Sequence, residues 1–299
     1  MQTFWAKTLR FFFLIYSCCI YSLLFGQREE NRIENAILWQ ISGNGLSQPS
    51  YICGTLHAIC ISEISFSDTL VNCIRNSNAV FLEINAKKDS TIAKTNHLQN
   101  KLLSELIGRR HFEKLIRVIN GYNSLTNEKL DSLQPFFVKS LLTEAAMNCK
   151  AISIDRIVLS IARKYNISTS SIESFEEHYQ PVMQIPLNIQ ASLLKLQIDN
   201  FEKFKDRNNE EIVLYKRAEV NEIYLRSAYN QFMERKNGVE EFLDKRNFRW
   251  VEFISKNCQN GQSFFAFGCA HLSGNSGVIN LLRKKGYVLT PIFNVIKDK

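Results

Sequence analysis

Ser50-Tyr51-Ile52-Cys53-Gly54-Thr55-Leu56-His57 is a mainly apolar run that stops at a glycine and delivers a histidine three residues later. The same figure recurs near the other end of the chain, in Ser263-Phe264-Phe265-Ala266-Phe267-Gly268-Cys269-Ala270-His271. An apolar run closed by Gly predicts a buried strand whose backbone turns where a side chain would obstruct it. Each His then stands just past the carboxyl end of its strand, where open α/β sheets keep their ligand sites. Spacing alone leaves a plainer reading open, in which both imidazoles are satisfied by neighbouring carbonyls.

Outward from these two stretches, Glu34 to Ser42 predicts an early strand. Gly43-Asn44-Gly45 with Ser47-Gln48-Pro49 is turn chemistry, so a hairpin into Tyr51–Gly54 is expected. Gln48 stands where a dinucleotide fingerprint needs its third glycine, which argues against a nucleotide site. Phe66 to Asn76 has helical spacing at Leu70, Cys73 and Ile74. Ala79 to Ile84 is a second buried strand, interrupted by Glu83. The stretch from about 97 to 235 reads as nearly all helix, with a break at Gly108 and a fresh start near Pro135. Within it, Ser153 opens a helix through Lys164, and Asn166 to Ser171 is a third candidate strand. Gln184–Phe204 and Asn208–Arg235 read as two long amphipathic helices. Glu240–Asn257 is a helix with Phe242, Leu243, Trp250 and Ile254 on its apolar face and Arg246 and Asn247 near them. Gly274-Asn275-Ser276-Gly277 caps a short helix that Gly286 ends, and Tyr287–Ile292 closes the chain as a strand. The expected fold is α/β (α+β). Its central β-sheet is built from the N- and C-terminal thirds, with paired Gly-x-x-His strand ends and a large helical insert at about 97–235.

The chain has 299 residues, of which 45% are hydrophobic and 22% charged, enough for a sizeable core. Lys7 and Arg10 precede the apolar run Phe11–Phe25, which is shorter than the ~20 residues of a membrane span. The expected organisation is a signal peptide over residues 1–26, cleaved after Gly26, and a single domain over 27–299. Export to the periplasm or outside the cell follows. Lipid attachment at Cys18 or Cys19 is the alternative, disfavoured because it leaves Ile20–Phe25 at the mature start. Loss of Lys7 and Arg10 takes the 37 basic residues to 35 against 29 acidic, a net charge of +6. The basic residues are scattered, so no nucleic-acid partner is expected, only a weak peripheral attraction to anionic membrane surfaces. No C-x-x-C pair occurs. Cys60 and Cys149, outside the predicted strands, are the candidate disulfide, and Cys53 and Cys269 read as small packed apolar residues.

There is no G-x-S-x-G elbow, no H-E-x-x-H helix and no P-loop. His57, His271 and Glu83 form a distributed candidate site instead. Glu83 either turns outward or enters the crevice beside His57, since Glu is almost never fully buried without a partner. Imidazole and carboxylate ligands suit Mn, Fe, Co or Zn, and three protein ligands leave room for a water. Arg246 is the candidate to steady an oxyanion, with a surface salt bridge to Glu241 or Asp244 as the alternative. His97, His111 and His178 lie on polar helical stretches and read as solvated, without a role.

The paired G-T-L-H and G-C-A-H figures, the F-L-E-I-N strand, K-R-N-F-R-W and A-H-L-S-G-N-S-G-V-I-N-L-L-R-K-K-G-Y-V-L-T-P-I together resemble the TraB/GumN family, which includes the Tiki metalloproteases. The similarity runs over about residues 36 to 292. It implies a metal-dependent peptide hydrolase acting on a peptide or protein. A divalent ion (Mn, Co or Zn) would be held by His57, Glu83 and His271, with Arg246 and Asn247 in an accompanying motif that ends at Trp250. Asp155 and Glu173 fall in a further stretch that resembles the family, although Ile172 replaces its leucine. A metal-independent His/Glu esterase and a non-catalytic peptide- or haem-binding protein are the other readings.

Overall fold

The computed structural model describes residues 32–84, 97–98, 100–122, 125–149, 151–235 and 243–297. The expected signal peptide over 1–26, with Cys18 and Cys19, lies outside the described residues, as do Glu241 and Phe242. Ten strands occur among the described residues: β1 (Leu38–Gly43), β2 (Ser50–Thr55), β3 (Ile59–Cys60), β4 (Ser65–Phe66), β5 (Ala79–Leu82), β6 (Ala151–Ile152), β7 (Ser168–Ser171), β8 (Ser263–Gly268), β9 (Tyr287–Ile292) and β10 (Ile296–Lys297). Six of them form one sheet in the order β7-β5-β8-β2-β1-β9.

The first four strands of that order run parallel, and β1 is antiparallel to both β2 and β9. Every residue of β8 is buried, and β2 is buried except for Tyr51 at its side. Strands covered on both faces read as continuous apolar runs, which is why these two stood out in the sequence. β2 pairs with β8 so that Thr55 faces Gly268, which brings the two Gly-x-x-His ends side by side. Phe81 stacks on Phe265 and meets Phe253 edge-on, and Phe267 packs on Trp250. The helix Lys245–Cys258 therefore covers this part of the sheet. The helix Ile154–Lys164 packs against β5, β7 and β8 and against the helix Asp68–Arg75.

A second apolar cluster lies among the helices Leu103–Ile107, Arg109–Ile119, Pro135–Met147 and Leu187–Asp199, around Leu115, Val138, Leu142 and Ile198. The helix Phe201–Lys216 bridges the two, with Phe204 in the helical cluster and Ile212 and Tyr215 in the core of the sheet. Gly108 breaks the first helical stretch as expected, at φ +83°. The sheet is not made from the outer thirds alone. Residues 151–171 return to it, so its edge strand β7 comes from inside the expected insert. The last two long helices are three, Leu187–Asp199, Phe201–Lys216 and Val220–Arg235, and the chain passes through Asn208 without a break. The helix Phe175–Met183, expected only as part of a polar helical stretch around His178, has bounds of its own. Cys60 and Cys149 are joined as a disulfide, while Cys53 and Cys269 are buried free thiols.

Candidate active site

Four adjacent parallel strands each deliver an ionisable side chain within three residues of their carboxyl ends. In sheet order these are Glu173 after β7, Glu83 after β5, His271 after β8 and His57 after β2. That is the end of a parallel sheet where ligands bind, because the strands stop and the following turns leave backbone and side chains facing one crevice. Gly268 stands in the middle. A methyl group placed on it would lie 3.6 Å from Glu83 Oε2, 3.6 Å from His271 Cδ2 and 3.9 Å from His57 Nε2. The three residues expected to hold a metal thus all border the side-chain-free face of one glycine, His271 through its ring carbon Cδ2.

His271 sits on a single 3₁₀ turn, Cys269–His271, and is 4% exposed. Its Nδ1 lies 2.6 Å from Asn247 Oδ1, and its Nε2 lies 3.4 Å from Arg246 Nη1. Burial, and after it the charge on Arg246, hold the imidazole well below its ordinary pKa, so it is neutral.

Glu83 is buried. Its Oε2 accepts the Gly268 N–H at 3.1 Å, and its Oε1 accepts from Arg246 Nη2 and lies 3.2 Å from His178 Nδ1. Burial alone would raise its pKa, but Arg246 and His178 outweigh it and hold the carboxyl well below the usual range. Glu173, also buried, accepts from Arg246 Nη2 at 2.5 Å, Arg246 Nε at 3.2 Å and Trp250 Nε1 at 3.0 Å. The Arg246 guanidinium lies over the Trp250 ring, 4.6 Å from its centroid. A planar guanidinium with several fixed donors suits this job, bridging two carboxylates from different strands while stacked on an indole. Arg246 is itself buried, and these bonds cross the sheet end, so it is not the surface ion pair that its helix would also have allowed.

His178 is brought into the same cluster. Its Nδ1 lies 2.9 Å from Glu173 Oε1, and its pKa is raised because the hydrogen bonds to Glu173 and Glu83 overcome its burial. The expectation that His178 is solvated and idle is therefore corrected. His97 and His111 do lie elsewhere, against Ser132 and Asp199. Among the described residues, the group of ligand-type side chains with donor atoms all within 4.8 Å of one another is Glu83, Glu173 and His178. The space between them is already taken by the Nη2 group of Arg246. His57, Glu83 and His271 border Gly268, but their donor atoms do not all lie within that distance of one another.

His57 is the exposed member, at the mouth. Behind it the Thr55 hydroxyl donates to Asp155 Oδ1 at 3.0 Å. Burial raises the Asp155 pKa, the neighbouring His57 opposes this, and the charge of Glu83 adds to it. The donor set suits a divalent cation, since imidazoles and carboxylates are its usual ligands, while Arg246, His178 and, at 3.9 Å, Arg249 supply positive charge around Glu83 and Glu173.

A family model described as the TraB/PrgY/gumN family matches residues 37–291. The chain is also similar to Metalloprotease TIKI2 of Danio rerio, with 21% identity over 311 aligned residues. That alignment takes in 85% of this chain and 60% of the relative, so the chain spans about three-fifths of that protein's length.

Proposed function

We propose, from the premise that the chain belongs to the TraB/PrgY/gumN family, that it is a metal-dependent hydrolase acting on peptide bonds. The similarity to a protein named as a metalloprotease supports the reaction class. The observation that supports it is that Glu83, His271 and His57, from three neighbouring strand ends, all border Gly268. His57, Glu83 and His271 would hold the ion. When bound, such an ion supplies Lewis acidity toward a water and a substrate carbonyl. The rest belongs to the chain itself. Arg246 neutralises the paired carboxylates and keeps guanidinium donors beside His271, where negative charge on a reacting oxygen could be met. His57 at the mouth meets the substrate first. Export is part of the proposal: residues 1–26 have the character of a signal peptide, and the Cys60–Cys149 disulfide suits an oxidising compartment. Among the described residues no helix is long and apolar enough to cross a membrane.

The test is cleavage of a peptide library by the purified chain with added Mn²⁺, Co²⁺ or Zn²⁺. Chelation is expected to abolish turnover, re-addition of one ion to restore it, and His57→Ala and His271→Ala each to lower it at least about 100-fold. Cleavage that survives both substitutions would overturn the reading. Turnover that survives exhaustive chelation would move it to metal-free His/Glu catalysis.

A further inference from the structure

Which nitrogen of a neutral imidazole carries the proton is set by what the other nitrogen meets. Asn247, 1% exposed, follows Arg246 on the helix Lys245–Cys258 but reaches a different partner, His271. Its amide nitrogen donates to the Ser276 carbonyl at 2.7 Å, and its amide oxygen faces His271 Nδ1 at 2.6 Å. The reverse orientation would set two acceptor oxygens, Asn247 Oδ1 and Ser276 O, against each other, so the amide has one stable setting. Ser276 cannot yield easily. The turn behind it is closed by Gly277 N–H to Gly274 O at 3.0 Å, and a side-chain carbon on Gly277 would come within 2.4 Å of Ser273 O. With an acceptor fixed against it, Nδ1 must be the protonated nitrogen. The second constraint agrees: Nε2 faces Arg246 Nη1, which can only donate.

We infer that Asn247, anchored on the Ser276 carbonyl, is a positioning residue that locks His271 in the Nδ1–H tautomer and so leaves Nε2 unprotonated, its lone pair facing Arg246 Nη1. A ring nitrogen whose proton is tied to a fixed outer partner is the arrangement that makes the other nitrogen a good metal ligand. The inference rests on the proposed hydrolase reading only for its purpose; the tautomer itself can be read without any ion.

The experiment uses the full chain, labelled with ¹⁵N-histidine and stripped of metal, in long-range ¹H–¹⁵N correlation spectra near neutral pH. The His271 signals are assigned by their loss in His271→Gln. The expected result is a neutral ring protonated on Nδ1 in the wild type. Asn247→Leu should shift the proton toward Nε2 and weaken Mn²⁺ or Co²⁺ binding about 10–100-fold in calorimetric titration. Asn247→Asp, which keeps an acceptor against Nδ1 but loses the donor to Ser276 O, should retain the wild-type tautomer at a cost in stability. A wild-type His271 protonated on Nε2, or an unchanged tautomer in Asn247→Leu, would overturn the inference. If the tautomer is as expected but the wild type binds no divalent ion, the inference stands and the hydrolase reading falls.

Discussion

Gly54 and Gly268 hold the same place in their two motifs but meet different surroundings. A side-chain carbon on Gly54 would lie 2.6 Å from Leu272 Cδ1 and 3.2 Å from Cys269 Cα, so that glycine lets the turn after β8 pack against the end of β2. Its carbonyl accepts from the buried Tyr215 hydroxyl at 2.9 Å, which pins the strand end to the helix Phe201–Lys216. Gly268 has a φ of −48°, open to any residue, and its neighbours stand at ordinary contact distance. What it keeps clear is the point between Glu83, His57 and His271. The two alanine substitutions should therefore part company. Gly54→Ala is expected to cost about 1–3 kcal/mol through overpacking, seen as a lower denaturation midpoint. Gly268→Ala is expected to melt within about 2 °C of wild type while losing most of its divalent-ion affinity and peptide cleavage. A Gly268→Ala variant that binds ions normally would mean the ion is held elsewhere. The glycine-histidine figure was legible in the sequence, but the division of labour was not, because it depends on which atoms of distant residues arrive behind each glycine.

At the scale of elements, legibility followed how well each local signal punctuated the chain. Strands that end in glycine, the hairpin over Gly43 to Gly45 and the helix break at Gly108 lie where the residues put them. The bounds of the helix Phe175–Met183 were not read because Pro181 and its run of polar residues interrupt the apolar pattern, and for the same reason His178 read as solvated. A signal was present. Ser174 and Glu177 form a reciprocal capping box, the usual mark of a helix start. The splits at Asn200 and Arg217–Glu219 carried no Gly or Pro, and the change from one apolar cluster to the other falls between them, within the helix Phe201–Lys216. Nor does any local pattern say that residues 151–171 return to the sheet. That return is fastened by the β3–β6 ladder and by the Cys60–Cys149 disulfide, whose partners are 89 residues apart. Closing so long a loop restricts the unfolded chain, so Cys60→Ala with Cys149→Ala should lose about 2–5 kcal/mol. Cys60 lies three residues after His57, and Ile154 N–H donates to Leu56 O at 2.9 Å beside Asp155. The double variant should therefore also bind divalent ions more weakly than its stability loss alone explains. Equal melting midpoints for wild type and double variant would show that the ladder holds this segment unaided.

For the whole molecule, the site is a point of assembly for distant parts of the chain. Its side chains come from positions 57, 83, 173, 178, 246 and 271, on six different strand ends and helices. No stretch of sequence contains it, which is why the histidines and Glu83 could be singled out while their mutual geometry could not. The same dispersion has a thermodynamic consequence. An ion held by His57, Glu83 and His271 binds only when β2, β5 and β8 are aligned, so its binding free energy adds to the stability of the sheet as a whole. At an ion concentration 100 times the Kd this is about 2.7 kcal/mol. In a chain of this size each kcal/mol moves the melting point by about 2–4 °C, so Mn²⁺ or Co²⁺ should raise it by roughly 5–10 °C over chelated protein. The increment should grow with the logarithm of ion concentration. It should shrink sharply in His271→Ala and Gly268→Ala, while an Asp199→Asn change on the remote helical layer should leave it intact. A melting point indifferent to millimolar Mn²⁺, Co²⁺ and Zn²⁺ in the wild type would mean that Arg246 and His178 already supply all the positive charge these carboxylates take, and the metal-dependent reading would fall with it.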